Sequence, residues 1–398
     1  MLGFFRLNHF EIIRQKFLKS ICQENIYKVD KNRQLTFLNS FNVGGATNNI
    51  ERSFFQYKCQ MYLLSPIARF VWNFISIFVY IIVPTLLINS TVLKHQHKKI
   101  HDKNKKIAVF VGLNRDVIPK SLQNDFRIFN HNNNLVLLFK DIWFIFKIFK
   151  KYLFHPYFIA KNVIKIAMYR ANILDFQPSA FIVTSEYSFT SSLLTDFCEE
   201  NNILHINVMH GDKLFYIRDS FFKFHKCYIW DKYYKKLFIS LKADRKQFIT
   251  ELPESFRCIP NQTIYNKKPV ITYYLQNQNR KKLIKIRKTL DYLKNKYKIF
   301  IRPHPIYSDN QIIKKIFINY EIENNKKINI YNSIAKTDFV ISLYSTVLLQ
   351  AYICKKNIII DDVNYSNIYK KLSDLKYIMI EKKHMPLSRF LLENSQKY

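Results

Sequence analysis

"SAFIVTSEYSFTSSLLTDFCEENNILHINVMHG", residues 179–211, contains one complete strand–helix–strand unit. The run 179–187 is short and β-rich, 189–202 carries apolar residues at helical spacing, and 203–211 is β-rich again. Strands that alternate with helices imply a parallel sheet covered on both faces. The same alternation continues outward. "KCYIWD" (226–231) reads as a strand and "YYKKLFISLKA" (233–243) as a helix, while "KKIAVFVGL" (105–113) and "NLVLLFK" (134–140) upstream read as strands. An aromatic-rich stretch from there to about residue 176 reads as helices.

Between Asp244 and Pro269 the periodicity lapses and Pro253, Pro260 and Pro269 accumulate, which marks a domain boundary. A second alternation follows, with strands predicted at 269–275, 299–303, 338–343 and 357–360 and helices at 277–297, 310–320, 331–336 and 346–353. The expected organisation is a helical, partly apolar N-terminal region over 1–104, a Rossmann-like domain over 105–250 and a second over 265–398. Two doubly wound α/β domains in one chain make a cleft between them the expected ligand site.

Composition limits the function. With 48% hydrophobic and 23% charged residues the chain is that of a globular protein. Lys and Arg number 63 against 29 Asp and Glu, a formal charge of +34 that attracts polyanions. Nucleic acid, anionic headgroups and phosphate-rich substrates all satisfy such a field. Abundant Lys, Asn, Ile, Tyr and Phe with only 5 Gly also fits an AT-rich coding sequence, which raises Lys with no functional demand. Six widely spaced cysteines without a CxxC pair argue against a zinc ribbon or a dense disulfide framework, and make a reducing setting the default.

The first twenty residues lack the pattern of a cleaved signal, while Phe4, Phe5, Phe10, Ile13, Phe17 and Leu18 recur near helical spacing. Residues 70–93 are the most apolar run, interrupted by Asn73, Pro84 and Asn89 and followed by a basic stretch. A span, a membrane-surface helix and a buried helix all fit it. His95, His97 and His101 lie in that basic stretch and read as a solvated face rather than a metal site. No GxxxxGK[ST] loop or GxSxG elbow occurs, which removes P-loop nucleotide hydrolysis and α/β-hydrolase chemistry.

Several polar groups fall at strand carboxyl ends, where open parallel sheets bind ligands. His210 and Gly211 follow one strand and Glu186 another. A histidine there can accept a proton from a hydroxyl, and glycine permits a close backbone approach. In "RPHP" (302–305) the prolines flank and stiffen the loop presenting His304, and Arg302 has the fork geometry for phosphate. "ISLYSTVLLQA" (341–351) ends a strand in Ser342, Tyr344, Ser345 and Thr346 and starts a helix whose free N–H groups suit an anion. Each reading has a structural counterpart: a satisfied histidine, a rigid turn, ordinary capping.

Taken in order, His210–Gly211, "RPHP" and "DFVISLYSTVLLQAYICKKNIIIDD" (338–362) resemble the bacterial surface-polysaccharide transferases of GT-B type. The likeness is to CDP-glycerol glycerophosphotransferases and to capsule or lipopolysaccharide Kdo- and sialyltransferase-like families, over roughly 180–365. It implies His210 as catalytic base, with Glu186 as an alternative, His304 as a donor-phosphate contact, and Ser342, Ser345 and Thr346 around the donor phosphates. Such families often place Glu on the ribose where this chain has Gln350. The implied activity is transfer of a sugar from a nucleotide-sugar donor to a glycan or lipid-linked acceptor, without a metal or cofactor. Its expected place is an anionic membrane surface, the cytoplasmic face of the bacterial inner membrane. Glycerophosphate transfer and UDP-sugar epimerisation are the alternatives within the enzyme class. A nucleic-acid binder is the alternative outside it, though the aromatics lie mainly inside apolar segments and no RRM or helix-turn-helix pattern occurs.

Overall fold

In the structure, a computed structural model, residues 29–41, 48–78, 105–256, 258 and 268–395 are described. They form two units, Met1–His210 with Phe215–Pro253, and Gly211–Leu214 with Glu254–Tyr398.

Unit 1 opens with three helices, α1 (Lys31–Asn39), α2 (Asn49–Leu63) and α3 (Pro66–Ile77). Each starts where a side chain satisfies an orphan N–H: Asp30 accepts from Arg33, Asn48 from Glu51, and Ser65 from Ala68, with Pro66 in the first turn of α3. There follow β1 (Lys106–Val111), α4 (Lys120–Asp125), β2 (Phe126–Asn130), α5 (Phe139–Tyr152), α6 (Pro156–Phe176), β3 (Ala180–Val183), α7 (Ser191–Glu200), β4 (Leu204–Val208), β5 (Lys226–Ile229), α8 (Lys232–Ser240) and β6 (Phe248–Thr250). The six strands pair in parallel in the order β2-β1-β3-β4-β5-β6. All of β3 is buried, as a strand covered by helices on both faces requires.

Unit 2 contains β7 (Val270–Tyr274), α9 (Arg280–Asp291), β8 (Lys298–Arg302), α10 (Asn310–Ile316), β9 (Glu321–Ile322), α11 (Ile330–Ala335), β10 (Phe339–Ser342), α12 (Thr346–Ile353), β11 (Asn357–Ile360), α13 (Ser366–Asp374), α14 (Ile378–Glu381), β12 (Met385–Pro386) and α15 (Leu387–Ser395). Its sheet is again parallel, ordered β12-β11-β10-β7-β8-β9. Two doubly wound parallel sheets are therefore the architecture of the chain.

Some boundaries differ from those read in the sequence. Residues 134–138 form no strand; Val136 and Leu137 are buried as a connector, with Val136 N–H bonded to the Ala167 carbonyl of α6 (3.2 Å). The ladder partner of β1 is instead the modest run "FRIFN". An apolar run alone does not distinguish a strand from a buried linker. The first three helices do not stand apart as an N-terminal region but cluster with unit 1: Leu193 N–H donates to Ser53 Oγ (2.8 Å) and Arg52 Nε to the Phe221 carbonyl (3.1 Å).

Of the 70–93 run, only residues up to 78 are described, and the helical spacing in residues 1–20 and the three histidines near residue 100 lie outside the described residues. Among the described residues no helix is long and apolar enough to cross a membrane. Helix α3 is inverted: Ala68 and Ser76 face inward, while Ile67, Phe70, Phe74, Ile75 and Phe78 are exposed, Phe70 at 71%. Over residues 70–78 the apolar side chains are thus mostly exposed, and residues 79–93 of the run lie outside the described residues.

The cysteine spacing offered no reason to expect Cys258 and Cys354 to be joined, yet the structure bonds them, at a Cα separation of 5.4 Å. Cys59, Cys198 and Cys227 are buried thiols.

One buried ion pair joins the helices behind the unit 1 sheet. Arg170 of α6 donates through Nη2 to Asp141 of α5 (2.6 Å) and to Asn201 at the end of α7 (2.8 Å), and both charged residues are 2% exposed. Replacing Asp141 by Leu leaves the guanidinium buried and uncompensated, so the unfolding free energy in a urea titration should fall by about 3–5 kcal/mol. The double variant Asp141→Leu/Arg170→Met should recover most of it, because no charge then stays buried alone.

Candidate active site

In unit 1 the chain crosses from one side of β1 to the other between β2 and β3, so the loops after β1 and β3 diverge and leave a crevice at their carboxyl ends. A cavity of about 470 Å³ fills that position, lined by Gly112 and Asn114 after β1, by Thr184, Ser185 and Tyr187 after β3, by Lys161, Lys165 and Tyr169 of α6, and by His210. Gly112 is required there, since a Cβ would stand 2.4 Å from the buried Phe110 ring.

His210 stands just beyond β4 with its ring edge-to-face against Tyr187 (centroids 5.6 Å apart) and its Nδ1 3.3 Å from Glu186 Oε1. Glu186 is fully buried, whereas His210 is exposed at the cavity. The two expected catalytic residues are thus together but not equivalent. With Nδ1 turned to the carboxylate, Nε2 is the nitrogen left to exchange a proton with a ligand. Helix α2 fixes the loop, as Gln56 Nε2 donates to the Glu186 carbonyl (2.9 Å) and Gln60 Nε2 to the Tyr187 carbonyl (2.8 Å). Ser185 N–H donates to Asn207 Oδ1 on β4 (2.8 Å). Gly211, by contrast, has no left-handed φ and a Cβ there meets nothing within 4 Å, so the conformational freedom expected of it is not used.

A second histidine in the same stretch shows what a structural one looks like. His205 on β4 is buried between Tyr169 Oη (3.0 Å) and Thr195 Oγ1 (2.9 Å), and burial, then His225, pushes its imidazole down to about 3.

In unit 2 the corresponding reversal lies between β7 and β10. Ser342 ends β10, but its hydroxyl is spent on the Tyr274 carbonyl of β7 (2.9 Å) and is buried. Ser345 caps α12 with its Oγ 3.4 Å from Val347 N, and Thr346 opens that helix, both partly exposed. Tyr344 donates to the Asp212 carbonyl (3.0 Å), within the same unit.

After β8, His304 is held by its own loop. Its Nδ1 accepts from the N–H groups of Ile306 (3.1 Å) and Tyr307 (3.3 Å), its ring stacks on Tyr307 (4.6 Å), and its N–H donates to Ser308 Oγ (2.8 Å). Since Nδ1 is an acceptor twice over, the ring proton is on Nε2, and the group offers one fixed donor. Burial lowers its pKa, which favours the neutral ring.

Two expected donor contacts are corrected. Arg302 is buried and gives Nη1 to Glu323 (2.7 Å) and Nη2 to the Ile328 carbonyl (3.0 Å), an arrangement that anchors β8. Burial opposes the Glu323 charge, but hydrogen bonds from Lys336, Ser333 and Arg302 outweigh it and hold the carboxyl below its usual range. Gln350 is buried and its amide bonds the Ser255 carbonyl, not an open site. In both cases a long polar side chain is spent on a partner of its own unit.

No family model matches the sequence, and no curated protein matches it either. Solved structures similar to it exist at low identity. The wall teichoic acid polymerase TagF, in a variant form with CDPG, aligns with a TM-score of 0.42 at 12% identity over 83% of this chain and 88% of that one. The S. aureus MnaA–UDP structure aligns with a TM-score of 0.44 at 11% identity, over 73% and 90%. The glycotransferase of kitacinnamycin aligns with a TM-score of 0.44 at 8% identity, over 74% and 91%.

The cavity residues Lys161, Lys165 and Tyr169 were not singled out in the sequence. Their signal was present, because "FIAKNVIKIAMY" (158–169) puts two lysines one turn apart in an otherwise apolar helix.

For His304, long-range ¹H–¹⁵N NMR should find the neutral Nε2–H tautomer at pH 6.5, where a free imidazole is half protonated. Its native pKa is lowered, so the unfolded chain binds the proton first. The contribution of His304 to stability is therefore complete above about pH 6.5 and is lost as pH falls towards the native value. An imidazolium at pH 6.5 would overturn the assignment.

Proposed function

We propose that this chain is a glycosyltransferase that moves a sugar from a nucleotide-activated donor to a hydroxyl of a growing capsule or lipopolysaccharide glycan. The observation that carries the reading is the pairing of exposed His210 with buried Glu186 at a strand-end cavity. A histidine so oriented holds Nδ1 towards the carboxylate and presents Nε2 to take a proton from a hydroxyl.

In this scheme unit 1 handles the acceptor and unit 2 the donor nucleotide. His210 Nε2 removes the acceptor hydroxyl proton, the oxygen attacks the anomeric carbon, and the bond from that carbon to the leaving phosphate oxygen breaks. The Nε2–H of His304 and the first N–H groups of α12 at Ser345 and Thr346 supply donors for the charge gathering on the phosphate. Arg302 and Gln350 are left out, since both are engaged inside the unit. The scheme asks for no metal or cofactor.

The reading also takes in a membrane surface, at the cytoplasmic face. Helix α3 turns its apolar stripe outward, and α5 does the same with Phe139, Ile142, Trp143 and Phe146. Lys140, Lys147, Lys150 and Lys151 stand beside the latter stripe. Apolar side chains that enter the headgroup boundary, flanked by lysines that meet anionic lipid, are the chemistry of an interfacial helix.

A thermal-shift screen with CMP, CDP, UDP and GDP nucleotides identifies the donor, because a ligand of the native state raises its midpoint. With that donor, His210→Asn should lower kcat by about 10²–10⁴-fold while donor binding holds. Full activity in both His210→Asn and His304→Ala would remove this site from the mechanism. In flotation assays the protein should rise with vesicles containing anionic lipid, and Phe70→Asp/Phe74→Asp should stay at the bottom. Equal flotation of that variant would reject the membrane surface.

A further inference from the structure

The unit 1 cavity has a corner that proton transfer does not explain. Lys161 and Lys165 both line it from α6, one helical turn apart. Like charges at that spacing oppose each other, and both residues are partly buried on a helix that otherwise buries Phe158, Ile159, Val163, Ile166 and Ala167. Among the described residues, neither amine has a carboxylate within 4 Å. Lys161 Nζ lies over the Phe189 ring, 4.3 Å from its centre, and Lys165 Nζ is 3.9 Å from Met168 Sδ.

The carboxylates nearby are engaged. Glu186 faces His210, and Asp219 pairs with Arg218 at 2.9 Å, whose guanidinium in turn lies over Tyr187. Burial, then Lys165 and Arg218, lower the Lys161 amine to about 8, and burial lowers that of Lys165. Two ammonium groups held against their own repulsion and desolvation are costly for the fold, and an anion between them offsets both terms. The loop after β3 adds Ser185 to the same lining, and with it Ser188 and Thr190, whose hydroxyls bond each other (2.9 Å) and leave one proton of the pair to donate to an oxyanion.

We infer that this cavity binds a compact oxyanion, a phosphate or a carboxylate, through Lys161 and Lys165. Its identification as a group on the acceptor, beside the hydroxyl that His210 deprotonates, rests on the transferase reading; the anion site itself does not.

Calorimetric titration of the full chain at low salt tests it with three probes: glycerol 3-phosphate, N-acetylneuraminate and neutral lactose. At least one anion should bind, and lactose should bind at least tenfold more weakly; which anion binds separates phosphate from carboxylate. Lys161→Met and Lys165→Met should each weaken the anion about tenfold or more, whereas Lys288→Met on α9 should not. Each Met variant removes a strained charge, so its thermal midpoint should equal or exceed that of the parent, which separates lost binding from lost folding. No preference for either anion over lactose, or equal weakening by Lys288→Met, would overturn the site. Anion binding that survives in inactive His210→Asn supports both readings, while an active enzyme indifferent to both anions sinks only this one.

Discussion

Parallel pairing sends every carboxyl end of a sheet to the same edge, and the rest of this protein follows from that constraint. Because all ten strand pairs among the described residues run parallel, the helices must return the chain across the faces, and the loops that remain collect on one rim. Where the winding reverses, two neighbouring loops part and nothing fills the gap. His210, Glu186, Lys161 and Lys165 meet at one such gap although they are spread over fifty residues of sequence. Ser342, Ser345 and Thr346 lie at the other.

Element type was legible because buried parallel strands are short apolar runs between helical periods. Helix α12 and strand β11 fall at the residues read from the sequence, 346–353 and 357–360. Illegible were the pieces whose existence depends on a neighbour. β2, β9 and β12 become strands only because a ladder partner lies beside them, and 134–138 is apolar for packing without pairing. The attachment of α1–α3 to unit 1 rests on hydrogen bonds made by Ser53, Arg52 and Gln56 to residues more than a hundred positions away. No local pattern carries that information.

The site divides along a similar line. The strand-end rule marked His210, Glu186 and His304 as candidates, and the structure sets His210 beside Glu186 and holds His304 in its own loop. It could not say which side chains are already satisfied. Arg302 and His304 are two residues apart, yet one is fastened into the interior by Glu323 and the other is poised by two backbone N–H groups. Likewise His205 and His210 share a strand and its exit, yet one is buried between Tyr169 and Thr195 and the other is exposed beside Glu186. Polar residues near a strand end are candidates; their existing partners decide among them.

The Cys258–Cys354 bond closes the chain across a sequence separation of 96 residues, all within unit 2. In the chain-entropy account, a closure of that length raises stability by about 4–5 kcal/mol, and it does so by restricting the unfolded chain rather than by adding a native contact. Unit 2 can thus keep one folded geometry and yet have two different margins, set by the thiol–disulfide balance of its surroundings. The described cysteines of unit 1, Cys59, Cys198 and Cys227, are buried thiols, so among the described residues only unit 2 carries a margin that follows its surroundings.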